Sequence, residues 1–159
     1  MNLLTKTLTI DPGNNTAWAY WDNSIIPIRS GVIPLRYGSK SSVKEKKMNY
    51  LWGKFKELIL ELQPTSVYIE GVALWSGSLK SMTSARQGDL FELSYLIGGY
   101  CKACTDAGIK FILISPTRWK GQMNKNAVKL RVYRAIKLSY KTTHETDAVG
   151  MGLSLMGIL

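Results

Sequence analysis

Cysteine and histidine are nearly absent from this chain: Cys101 and Cys104 are its only thiols and His144 its only imidazole. That set falls short of the four ligands of a structural zinc site. The Cys101–Cys104 pair lies inside a helical pattern, not at the strand-to-helix turn of a thioredoxin-like redox pair, so core packing is the reading for both. Long apolar runs are lacking as well. Nothing approaches the roughly 18 residues of a membrane span, and Met1–Ile10 lacks the apolar stretch and cleavage site of a signal peptide. The expectation is an intracellular protein, cytoplasmic in a bacterial cell or encoded by a phage, with no membrane partner and no organic cofactor.

Acidic residues are scarce: 11 stand against 21 lysines and arginines, for a net charge of +10. No acid occurs between Asp106 and Glu145, whereas Lys110, Arg118, Lys120, Lys125, Lys129, Arg131, Arg134, Lys137 and Lys141 all do. A second basic stretch holds Arg36, Lys40, Lys44, Lys46, Lys47, Lys54 and Lys56. Such a balance fits a polyanionic partner, with nucleic acid foremost. Solvated helix faces are the plainer alternative. A membrane-surface role fits less well, because the apolar faces read as core stripes. With 159 residues and 45% hydrophobic content, the chain is long enough for one domain, residues 1–159, with a real core.

Alternating and turn-bounded segments predict strands at Lys6–Ile10, Thr16–Trp21 and Arg29–Leu35, an antiparallel meander. A polar loop over Arg36–Ser42 leads to an amphipathic helix at Val43–Leu62, with Met48, Leu51, Trp52, Phe55, Leu58 and Ile59 on one stripe. Pro64 ends that helix, and a fourth strand follows at Ser66–Ile69. Gly71–Ser81 reads as a loop, Thr83–Ala107 as a second helix and Lys110–Ile114 as a fifth strand closed by Ser115–Pro116. After a basic loop, helices are expected at Lys125–Leu138 and Glu145–Met156, the last capped by Thr142 or Thr143. Gly98–Gly99 inside the second helix marks either close approach of another backbone or a kink. This order predicts an α/β domain: a mixed five-stranded sheet with helices on its faces.

Three of the few acids fall at the ends of apolar elements. Asp11 closes the first strand in Asp11-Pro12-Gly13, Glu70 closes the fourth, and Asp147 lies in the first turn of the last helix. Each alone has a plain reading as a turn residue, a solvated strand end or a helix-dipole partner. Together, on neighbouring strands and a packed helix, they would repel one another unless a cation held them. Hard carboxylate oxygens suit Mg²⁺, and a pair of such ions suits phosphodiester hydrolysis.

A first strand ending in Asp-Pro-Gly, a fourth ending in Glu, and a last helix opened by His144-Glu145-Thr146-Asp147-Ala148 resemble the RuvC-type Holliday junction resolvases of the ribonuclease H-like superfamily. The resemblance covers nearly the whole chain. It implies a ribonuclease H-like fold and a homodimeric, Mg²⁺-dependent endonuclease, with Mn²⁺ a natural substitute. Four-way DNA junctions would be cut by paired symmetric nicks that leave 5′-phosphate and 3′-hydroxyl ends. Carried over by position, Asp11 would bridge two ions, Glu70 would bind one and Asp147 the other. His144 stands where many members have Asp and some His, as a ligand or a contact to the attacking water. Glu145 is the substitute if His144 points away.

The resemblance also implies DNA-binding residues. Trp75, with Leu74 beside it, falls in the loop that stacks on bases at the crossover. Arg86 and Gln87 open the DNA-facing helix, and Arg118, Lys120, Lys125 and Lys129 match a phosphate-gripping loop and helix. The apolar face of the Thr83–Ala107 helix is the expected dimer surface. A nuclease of the same fold acting on flaps, forks or RNA/DNA hybrids, and a catalytically inactive junction-binding protein, are the alternatives.

Overall fold

The computed structural model describes residues 2–34, 44–72 and 88–159. Five strands form one sheet in the order β3-β2-β1-β4-β5: β1 (Thr7–Asp11), β2 (Thr16–Trp21), β3 (Arg29–Ile33), β4 (Ser66–Glu70) and β5 (Lys110–Ile114). The first three are an antiparallel meander, while β4 runs parallel to both β1 and β5. The helices are α1 (Lys44–Leu62), α2 (Asp89–Asp106), α3 (Pro116–Lys120), α4 (Lys125–Ile136) and α5 (Thr143–Leu155).

Strand alternation divides the core in two. Leu8 and Ile10 of β1, Trp18 of β2 and Val67 and Ile69 of β4 point to one face, where Leu51 and Phe55 of α1 and Ile97 and Tyr100 of α2 cover them. Ala19 and Trp21 of β2 and Ile114 of β5 point to the other, against Trp119 of α3, Val128 and Val132 of α4 and Met151 of α5. Cys104 is fully buried and burial pushes its thiol up to about 12, which fits a packing role. Among the described residues, no helix is long and apolar enough to cross a membrane.

Element boundaries differ from expectation by a few residues, and the differences bear on the site. Asp11 and Glu70 are the last paired residues of β1 and β4, so the sheet itself fixes their direction. α5 begins at Thr143, two residues early, because the Thr142 side chain accepts the Glu145 N–H at 3.0 Å. His144 therefore sits inside the helix. The segment after β5, expected as a loop, forms the short helix α3. Pro116 takes its first position, where a missing N–H costs nothing. α2 starts at Asp89 behind Gly88, which adopts φ +78°, and α4 stops at Lys137 with φ +59°. Arg36–Ser42 lies outside the described residues, as do residues 83–87 of the expected helix and most of the Gly71–Ser81 loop.

The paired glycines accommodate a side chain, not a backbone. A Cβ at Gly99 would fall 1.9 Å from Trp52 Nε1, while one at Gly98 would meet nothing within 4 Å. The Trp52 indole lies across Gly99 and donates to Leu96 O at 3.2 Å, joining α1 to α2.

Candidate active site

Asp11 and Glu70 lie on two neighbouring interior strands and, counting in twos along each, on the face that α5 covers. β1 and β4 pair from Thr7↔Ser66 to Ile10↔Ile69, so the acids are the next residues on each strand. α5 is drawn onto this face by small residues. Cβ atoms at Gly152 and Gly150 would come within 2.3 Å of the Trp21 ring and 3.0 Å of the Trp119 ring. Thr9 Oγ1, two residues before Asp11, donates to Ala148 O at 2.8 Å. This bond holds the first turn of α5 over the end of β1. His144 and Asp147, one turn apart, then face the acids.

The four predicted site residues converge with Lys120. His144 Nδ1–H donates to Asp11 Oδ2 at 2.8 Å. Lys120 Nζ stands 3.5 Å from Glu70 Oε1 and 3.9 Å from Asp147 Oδ2. Asp11 and Asp147 are buried, Glu70 partly so. Glu145 points elsewhere and accepts from the Ser30 hydroxyl at 2.8 Å, which anchors the helix start to β3. His144, not Glu145, is the fourth member of the group.

The electrostatics are those of a crowded anionic site. Burial, then the charge of Asp11, pushes Glu70 up to about 7, against the pull of Lys120 and of a hydrogen bond from Trp119. Burial also raises Asp147, with Lys120 and Lys125 opposing. The hydrogen bond to Asp11 holds the proton on His144 above its ordinary range. Ionising Glu70 and Asp147 is costly where they stand, which is the condition that a bound divalent cation relieves.

In chemistry the donors fit a hard cation: three carboxylates and an imidazole facing one space, with an ammonium already drawn between two of them. They are not a finished cage. Among the described residues, no three acids, histidines or cysteines stand together in metal-holding geometry. The site is divided into an Asp11–His144 pair and a Glu70–Lys120–Asp147 group, as expected where carboxylates repel and an amine is the available counter-ion.

Lys120, expected among phosphate-gripping residues, thus belongs to the acid cluster. Arg118, Lys125 and Lys129 are exposed. Lys125 is near enough to lower both His144 and Asp147. Leu74, Trp75, Arg86 and Gln87 lie outside the described residues. The apolar face of α2 expected to join two protomers is occupied within the chain: Leu96, Ile97, Tyr100 and Cys104 are core residues. Its flank is open instead, with Phe91 and Tyr95 77% and 67% exposed. With Met48 and Trp52 they line a groove of about 760 Å³. Sequence reasoning missed Trp119, whose Nε1–H donates to Glu70 Oε2 at 2.9 Å. A lone tryptophan between Arg118 and Lys120 was the available signal, since a buried indole N–H needs an acceptor.

No family model and no curated protein matches the sequence. Solved structures do match. Thermus thermophilus RuvC in complex with a Holliday junction substrate superposes with a TM-score of 0.71 at 18% identity, over 95% of each chain. The fold is that of the RuvC resolvases. A second T. thermophilus RuvC structure gives a TM-score of 0.67 at 15% identity, over 93% of this chain and 90% of that one. The yeast mitochondrial Holliday junction resolvase Ydc2 gives 0.55 at 11%, over 98% and 81%. Identities this low speak to architecture. Within the RuvC fold, the chemistry has to be argued from the side chains themselves.

Proposed function

We propose that this protein is a divalent-metal-dependent endonuclease that resolves four-way DNA junctions, acting as a homodimer of single-domain protomers. The observation that carries the reading is the convergence of Asp11, Glu70, Asp147 and His144 at the end of the β1–β4 seam, in a fold shared with resolvases. Asp11, Glu70, Asp147 and His144 would hold the metal. Two Mg²⁺ ions bound there would stabilise charge on the attacking and leaving oxygens of a phosphodiester.

The chain's own residues do the rest. Thr9 and the Glu145–Ser30 bond hold the start of α5 in register with the strand ends, which aims Asp147 and His144 at Asp11. Lys120 partly offsets the charge of Glu70 and Asp147, the part a bound cation would otherwise play. Lys125 acts on the site through its charge, and with the exposed Arg118 and Lys129 it would hold backbone phosphates without reading sequence. Two copies related by a two-fold axis would offer two such sites to the symmetric strands of a junction. With the inner face of α2 committed to the core, its exposed Phe91–Tyr95 flank is the surface on that helix that would make the contact.

The test is cleavage of an end-labelled synthetic four-way junction beside linear duplex, in Mg²⁺ and in EDTA. Paired symmetric nicks on the junction alone, abolished by EDTA, support the reading. Tight junction binding without nicks identifies an inactive relative. Equal cleavage of both substrates assigns the fold to another nuclease activity.

A further inference from the structure

Glu70 is held from two sides by consecutive residues of α3. Lys120 approaches Oε1 and divides its charge between Glu70 and Asp147. Trp119 makes no such division. Its ring is 4% exposed, and its single N–H goes to Glu70 Oε2 at 2.9 Å. An indole nitrogen can only donate, and a carboxylate oxygen is its natural acceptor.

The ring is fixed from the opposite side. It rests in the notch left by Gly150, where a Cβ would stand 3.0 Å from Cζ3 and 3.5 Å from Cη2. Gly150 lies one turn beyond Asp147 on α5. The indole therefore fills the space between the strand end that carries Glu70 and the helix that carries Asp147. It touches one through a hydrogen bond and the other through ring contact.

We infer that Trp119 is a positioning residue for metal binding: its N–H fixes the Glu70 carboxylate, and its ring spaces Glu70 from the helix bearing Asp147. The inference rests on the metal-site reading proposed above. Among the described residues, Lys120 is the other side chain that reaches the Glu70 carboxylate, and at 3.5 Å it holds it less closely than the indole does. The partners that orient metal-binding carboxylates are commonly worth tenfold or more in metal affinity.

The experiment titrates Mg²⁺ against the full chain and follows the melting temperature, for wild type, Trp119→Phe, Glu70→Gln and the double variant. Phe keeps an aromatic ring in the notch and loses the N–H. Trp119→Phe is expected to weaken Mg²⁺ about tenfold, and the double variant to bind no more weakly than Glu70→Gln alone. A lowered metal-free melting temperature with wild-type Mg²⁺ affinity would make Trp119 a packing residue and overturn the inference. So would additive losses in the double variant. If Trp119→Phe does not fold, Gly150→Ala, which shifts the ring and keeps the N–H, is read on the same scale; unchanged affinity there also overturns it. Glu70→Gln distinguishes the two levels: if it binds Mg²⁺ like wild type, the metal-site reading fails and takes this one with it. If Glu70→Gln loses Mg²⁺ and Trp119→Phe does not, only the role of Trp119 falls.

Discussion

His144 Nδ1 stands 2.8 Å from Asp11 Oδ2, so the last helix of the chain is bonded to the end of its first strand. The contact leaves the other ring nitrogen for a metal ion or a water, and it ties the state of the imidazole to the Asp11 carboxylate. An Asp at position 144 would place a harder oxygen donor there. His144→Asp is expected to bind Mg²⁺ at least as tightly as wild type. His144→Ala is expected to bind it more weakly and, if the imidazole also handles a proton, to cut junctions at least about a hundredfold more slowly. Melting-point titration and a cleavage time course check both.

Asp11→Asn should abolish cleavage and leave junction binding within about twofold of wild type, or tighter. Removing one charge from the cluster lowers its repulsion toward a phosphate by an amount that salt screens. Gel-shift binding in EDTA, beside cleavage in Mg²⁺, tests this. Parallel loss of both would mean that Asp11 shapes the fold.

The metal-free protein should lose stability as pH rises. Glu70 is raised from 4.5 to about 7 in the folded chain, so across that window the folded state keeps a proton that the unfolded state has released. Stability is present below the window and declines through it, by up to about 3 kcal/mol for Glu70. The raised Asp147 acts in the same direction, and so does His144, above its unfolded value of 6.5. Melting curves from pH 4 to 9 should slope downward in EDTA and flatten in Mg²⁺. A curve in EDTA that rises to neutrality would contradict the charge arrangement.

Adjacent glycines on α2 should respond in opposite directions. Gly99→Ala drives a methyl into the Trp52 indole and should cost about 1–3 kcal/mol. Gly98→Ala meets open space inside a helix and should stabilise by about 0.5–1 kcal/mol. Chemical denaturation of the two single variants decides it.

Lys129→Ala, on the exposed face of α4, should weaken junction binding and reduce the slope of log affinity against log salt by about 0.9. An unchanged slope would remove Lys129 from the phosphate contacts.

The five strands, their meander and the placement of Asp11, Glu70 and Asp147 were legible because strand periodicity and flanking Pro and Gly are local signals. Pro116 misled, since one proline both closes β5 and opens α3, and only tertiary packing selects the second role. The Trp52–Gly99 contact was illegible for a related reason. A glycine pair in a helix shows that something comes close, not which of two helices supplies it. Lys120 shows the limit for charge: a lysine in a basic run looks like a phosphate contact, and its approach to Glu70 and Asp147 depends on where α3 folds. An approach of the start of α5 to Asp11 was legible, but which of His144 and Glu145 makes it depended on Ser30 across the sheet.

The bond between Asp11 and His144 spans 133 positions of sequence, which has a consequence for synthesis. A ribosome that has made β1 to β5 has made only two of the three carboxylates, and nothing yet to bring a third beside them. Thr142 must emerge and cap α5, and the glycines of that helix must seat against Trp21 and Trp119, before the acid cluster exists. The acid cluster therefore waits for α5, and a product that stops after α4 carries the exposed lysines and arginines of that helix without Asp147 or His144.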